Sequence, residues 1–191
     1  MSEPLIARVA EDQLSPKFRE EWRESHRVAG EATYVEVFAN HPALLNWYYE
    51  SFYAKLFNNG DGTMLNDAKT NELLRLRISR GTGCHVCNSF NAPSAIAAGY
   101  TQAQVDTVST PTAKLFSERE LAVLDLVGEI EFRNPEGKLS PELYARLRRH
   151  FSDAQILELG VVAAYLAAMG KVFSTFDLVT RDEVCPLAKA A

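Results

Sequence analysis

Gly81-Thr82-Gly83-Cys84-His85-Val86-Cys87-Asn88-Ser89-Phe90-Asn91-Ala92 decides how this chain reads. The glycines break one helix, and two cysteines three positions apart open the next. They are two of the three cysteines in 191 residues. The positive end of a helix dipole favours thiolate over thiol, so a close pair at a helix start suits redox chemistry. At about 100° per residue, Cys84, Cys87 and Asn91 fall within roughly a 60° arc of one face. The bland alternative is a pair of buried thiols packing as small hydrophobes. Zinc wants four ligands. The remaining Cys185, His26, His41, His85 and His150 supply no matching pair, so no metal and no other cofactor is expected. No βαβ pattern surrounds the motif, which disfavours a thioredoxin fold.

Upstream, a helix is expected over about Asn66 to Arg80. Leu65, Ala68, Glu72, Leu76 and Ser79 share one face of it. Glu72 is thus a carboxylate in a mostly apolar stripe, one glycine turn away from the thiols. A partly buried carboxylate has a raised pKa and can hold or pass a proton near neutral pH. The alternative for Glu72 is an i,i+3 salt bridge to Arg75.

The rest of the chain reads as helix too. Ser15-Pro16 opens a first helix carrying Phe18 and Trp22, and His41-Pro42 a second. In the second, Leu44, Tyr48, Phe52 and Leu56 repeat every four residues, with Leu45 and Tyr49 beside them. Trp22, Trp47 and the Tyr48-Tyr49-Tyr53 cluster read as core or subunit interface, some of them able to line the approach to the thiols. Gly99 is a natural stop for the CxxC helix. A short helix follows over Thr101 to Val108. Ser117 with Glu120 forms a capping box, Ser140-Pro141 starts another helix, and Ser152 caps a long one that Gly170 is expected to split. Its apolar stretch, Leu157 to Met169, is short for a bilayer span and reads as a buried helix. The pattern is that of one all-α domain over residues 1–191.

The net charge is −5, from 20 Lys and Arg against 25 Asp and Glu, with the basic residues scattered. Neither nucleic acid nor a membrane surface is expected as partner. Met1-Ser2-Glu3-Pro4 lacks the character of a signal peptide, which makes a cytoplasmic location the expectation. In that compartment a CxxC is catalytic or metal-binding more often than structural.

Glu72, a Leu/Arg/Ile-rich helix, Gly83-Cys84-x-x-Cys87 and Ala95-x-x-Ala98-Gly99 together resemble the carboxymuconolactone decarboxylase family, in its CxxC-bearing alkylhydroperoxidase D-like branch. Phe38-x-x-His41-Pro42-x-Leu44-Leu45 is similar as well, and the resemblance spans about residues 35 to 180. It implies an all-helical bundle, a homo-oligomer (dimer, trimer or hexamer), a small hydroperoxide as substrate and a dithiol protein as reductant. By that resemblance Cys87 is the thiol attacked by peroxide, Cys84 resolves it, and Glu72 relays protons. The family's histidine four residues after the second cysteine is replaced here by Asn91, which can orient water but cannot take a proton. His85, one residue after Cys84, points about 100° away on a helix and is a poor substitute. The alternatives are lactone decarboxylation, as in the family's naming branch, or a redox-responsive oligomer without turnover.

Overall fold

Serine, threonine and aspartate caps start most of the helices. Ser15 accepts a hydrogen bond from the Phe18 amide and Pro16 occupies the first helical position of α1 (Pro16–Ala29). Asp67 caps α4 (Ala68–Thr82) by accepting from Thr70 N. Thr101, Ser117 and Ser152 form full capping boxes with Gln104, Glu120 and Gln155 at the starts of α6 (Gln102–Thr107), α7 (Glu118–Gly128) and α9 (Asp153–Thr175). Ser140 caps α8 (Pro141–Arg148). The computed structural model describes residues 4–133 and 138–182, so Cys185 lies outside the described residues. Among the described residues there is no strand, only an isolated bridge between Cys84 and Arg181.

Two segments depart from the pattern read in the sequence. Thr33–Phe38 forms a short helix, α2, with Thr33 to Val37 all buried. Its β-branched and aromatic residues are weak helix formers, and burial overrides their propensity. The helix that starts at His41-Pro42 is α-helical only over Pro42–Asn46 (α3), and then winds as a π-helix over Trp47–Phe57. A π-helix closes i→i+5 hydrogen bonds and turns less per residue than an α-helix, so a strict four-residue stripe does not continue through it. Phe57 is therefore buried with Phe52 and Tyr48, while Leu44, expected on the apolar stripe, is 44% exposed.

Two glycines mark close approaches between helices. Gly81, expected to break α4, lies inside it. A Cβ there would sit 2.1 Å from a Glu131 carboxylate oxygen, and Glu131 is ion-paired to Arg77. The break comes at Gly83, in the left-handed region at φ 64°. Gly170 does not split α9, which runs unbroken to Thr175. A Cβ at Gly170 would come within 2.9 Å of Thr82 Cγ2, so this glycine lets α9 close on α4.

α4 is the central helix and packs on α5 (His85–Ala97), α7 and α9. By length and composition α9 could cross a membrane. Its Leu159, Val162, Ala163, Leu166 and Phe173 are instead buried in the bundle, as in a core helix. Two apolar clusters result. One joins α4, α7, α8 and α9 around Leu74, Val127, Leu147 and Leu159. The other gathers Phe18, Val35, Tyr48, Cys84 and Phe173. Tyr53 and Tyr165 pack against both, and the cysteine pair belongs to the second.

Candidate active site

Cys84 is the N-cap residue of α5, and its Sγ accepts a hydrogen bond from Cys87 N at 3.2 Å. The two cysteines are joined in a disulfide, with their Cα atoms 5.2 Å apart. They differ sharply in access. Cys84 is 1% exposed, whereas Cys87 is half-buried and lines a cavity.

The back of the pair is sealed by residues that follow α9. Leu178 and Val179 are buried. His85 N donates to Thr180 O, and Asp182 N to Gly83 O, both at 2.9 Å. The Asp182 carboxylate holds His85 Nδ1 at 2.9 Å and accepts from Asn88 Nδ2 at 2.6 Å. The other ring nitrogen of His85 lies 3.2 Å from the Ala29 carbonyl. The ring is thus fixed behind the motif and is not among the residues lining the cavity at Cys87.

That cavity measures about 220 Å³. Phe90, Phe173 and Val86 supply apolar wall, and four tyrosines, at 34, 48, 49 and 53, supply ring faces and hydroxyls. The π-winding carries Tyr48, Tyr49 and Tyr53 to one site, where the Tyr48 ring centre lies 5.3 Å from that of Tyr49 and 5.1 Å from that of Tyr53. Tyr34 and Tyr49 hydrogen-bond through their hydroxyls at 2.9 Å. Burial raises both phenols, Tyr34 to about 12, so they stay protonated at neutral pH. A second, water-sized cavity of about 30 Å³ also touches Cys87 and Asn91, with Ser79 and Thr82 on its wall. Asn91 is 5% exposed and its amide lies 3.5 Å from the Arg75 carbonyl.

Glu72 forms the i,i+3 pair with Arg75 that its spacing allowed. Its carboxylate is gripped by Arg75, whose Nη2 donates to the two oxygens at 2.7 and 2.9 Å and whose Nε donates at 3.1 Å. Glu72 itself lines neither cavity; Arg75 lines both. Burial raises the Glu72 pKa, and Arg75 partly offsets this.

One carboxylate escaped the sequence reading. Glu21, on α1, lines the larger cavity together with Cys87. The only signal for it was its place one residue before Trp22 on an amphipathic helix. Among the described residues no group of three or more His, Cys, Asp or Glu side chains is placed to hold a metal.

No protein-family model matches the chain. It is 25% identical over 104 residues to an uncharacterized protein of Bacillus subtilis (strain 168), YdfG, covering 54% of this chain and 70% of that one. Among solved structures it is similar to an alkylhydroperoxidase AhpD core, an uncharacterized peroxidase-related protein from Ralstonia eutropha JMP134. That match has a TM-score of 0.64 and 19% identity, and covers 96% of each chain. It is also similar to the debrominase Bmp8. A cysteine-to-alanine variant of that protein in complex with 2,3,4-tribromopyrrole matches with a TM-score of 0.67 and 15% identity, over 95% of this chain and 94% of the other. The apo form of Bmp8 gives a TM-score of 0.66 at 16% identity, over 94% and 93%. The resemblance read from the Glu72 to Gly99 block is therefore met in three dimensions, and this chain has the all-helical alkylhydroperoxidase D-like fold.

Proposed function

We propose that the protein is a thiol-dependent reductase of organic hydroperoxides. The observation that carries this reading is the asymmetry of the pair: Cys87 faces a cavity and Cys84 is buried behind it. In the reduced form, Cys87 thiolate attacks the terminal oxygen of ROOH. The O–O bond breaks, Cys87 becomes a sulfenic acid, and the alkoxide leaves as ROH once protonated. Cys84 thiol then displaces water from the sulfenic acid and the disulfide forms. A dithiol protein returns two electrons and two protons to restore the thiols. The N-terminus of α5 stabilises the thiolate, Asn91 orients water beside it, and Glu72 acts through Arg75 to shape the cavity. We place the protein in the cytoplasm as a homo-oligomer. The test is consumption of cumene hydroperoxide by the reduced protein with a dithiol. Loss of turnover in Cys87→Ser supports the reading, and wild-type turnover in that variant sinks it.

The aromatic wall favours a second reading, reductive removal of halogen from a small ring, by likeness to the debrominase. In that reaction R–Br and the dithiol give R–H, bromide, a proton and the disulfide. Stoichiometric bromide release from a bromopyrrole by the reduced protein, without peroxide turnover, would select it.

A further inference from the structure

We propose that Glu21 is the acid that protonates the departing alkoxide when Cys87 attacks a hydroperoxide; the assignment rests on the peroxidase reading above. Cleaving the O–O bond by thiolate attack leaves RO⁻, a strong base, and the reaction is slow unless a proton reaches that oxygen as it departs. The donor must stand on the wall of the cavity that Cys87 lines.

The groups present there narrow the choice. Arg75 does not give up its proton and Asn91 has no acidic one. Burial holds the phenols of Tyr34, Tyr48 and Tyr49 protonated, so they can donate hydrogen bonds without cycling near neutral pH. The carboxylates expected or found near the motif are otherwise engaged. Glu72 is tied to Arg75 and off the cavity wall. Asp182 is tied to His85 and Asn88 behind the motif. Glu21 remains: it lines the cavity itself.

Its surroundings suit the role. On its own helix Glu21 faces Lys17, Glu20 and Glu24; across the cavity lie Tyr34 from α2, Tyr49 from the π-helix and Arg75 from α4. Burial raises its pKa above the ordinary carboxylate value, Glu20 and Glu24 push it further, and Lys17 only partly opposes them. Lys17 is itself paired to Glu50. A carboxyl group so placed carries a proton at a higher pH than a solvated one and can recover it from bulk water after each turnover.

The test compares reduced wild-type protein with Glu21→Gln and Glu21→Asp, using cumene hydroperoxide and perbenzoic acid as substrates across pH. The wild-type kcat/KM for the hydroperoxide should fall on the alkaline side as Glu21 loses its proton. In Glu21→Gln that limb should vanish and kcat/KM should drop roughly 10²-fold, the low end of what a positioned acid contributes. Glu21→Asp should keep the limb. Benzoate leaves without a proton, so the loss in Glu21→Gln should largely disappear with perbenzoic acid, a pattern that a folding defect cannot give. A Gln variant that retains the alkaline limb, or that loses activity equally on both substrates, overturns the assignment to Glu21 alone. A wild-type protein that consumes neither substrate overturns the peroxidase reading and this assignment with it.

Discussion

Arg75 couples Glu72 to the cavity at Cys87: its guanidinium donates to both Glu72 oxygens and lies 4.9 Å from the centre of the Phe57 ring, on the same wall as Asn91. Glu72 and Arg75 are 15% and 13% exposed, so the pair is largely withdrawn from water. Removing one member leaves the other charge uncompensated, which costs about 3–5 kcal/mol in fully buried pairs. For this slightly exposed pair, Glu72→Gln should lower unfolding stability by about 2–3 kcal/mol in denaturant titration. Because the acid is assigned to Glu21, Glu72→Gln should keep the alkaline limb of the pH profile. Loss of that limb in Glu72→Gln would return the proton-relay role to Glu72.

The CxxC block shows how far sequence reasoning reached. Spacing alone put Cys84, Cys87 and Asn91 on one face, and capping chemistry located helix starts at Ser15, Ser117 and Ser152, because these signals are local. Three features were not local. The π-winding that brings Tyr48, Tyr49 and Tyr53 to one cavity follows from how their rings pack, including Tyr48 against Tyr53 at 5.1 Å between ring centres. The Thr180 to Asp182 seal over Cys84 pairs residues about 97 positions apart, and no motif encodes it. Glu21 shares a cavity with Cys87 because α1 packs on α5. For Glu72 the spacing offered two settings, facing the thiols or pairing with Arg75 three residues on, and the pair with Arg75 is the one formed.

Stability should carry the imprint of Glu21 as well. Its folded-state pKa is raised above the ordinary 4.5, so the folded state holds the proton more tightly than the unfolded chain. The stabilising effect of that proton is fully present below pH 4.5 and is lost as pH rises through the folded-state value. Glutamine does not titrate. The stability of Glu21→Gln relative to wild type should therefore rise as pH increases from 4.5 towards 7, as read from urea unfolding at several pH values. A difference that stays flat over this range would show that Glu21 has the same pKa folded and unfolded.

The access difference between the two sulfurs predicts their order of reaction. In the reduced protein, iodoacetamide should modify Cys87 well before Cys84, as located by peptide mass spectrometry. After one equivalent of peroxide, Cys84→Ser should hold a sulfenic acid at Cys87 that dimedone traps. Primary labelling of Cys84 would reverse the roles.

The outer face of α9 bears on assembly. Leu157 is 70% exposed and Val161 55%, with Ala164 and Ala168 exposed along the same side. The Leu157→Glu, Val161→Glu double variant should run as a smaller species than wild type in light scattering, since each glutamate would have to be desolvated in a shared interface. A wild-type protein that is already monomeric at micromolar concentration would remove the expectation of a homo-oligomer.

Asn91 is the position where the chain departs from the family it resembles, and the structure makes the consequence testable. Its amide is buried, borders the water-sized cavity beside Cys87, and can hold a water there without accepting a proton from it. Histidine is larger than asparagine, and the adjoining space of about 30 Å³ gives the ring room at the expense of that water. An imidazole at this site would supply the base that draws the proton from Cys87. Asn91→His should therefore raise kcat/KM for cumene hydroperoxide at neutral pH by about 10²-fold, the low end of the range that positioned bases reach. The gain should be greatest below the pH at which wild-type Cys87 ionises unaided, and should shrink above it. A uniform change across pH would mean that the ring altered packing around Asn91 rather than proton transfer, and that water held by the amide already does the base's work.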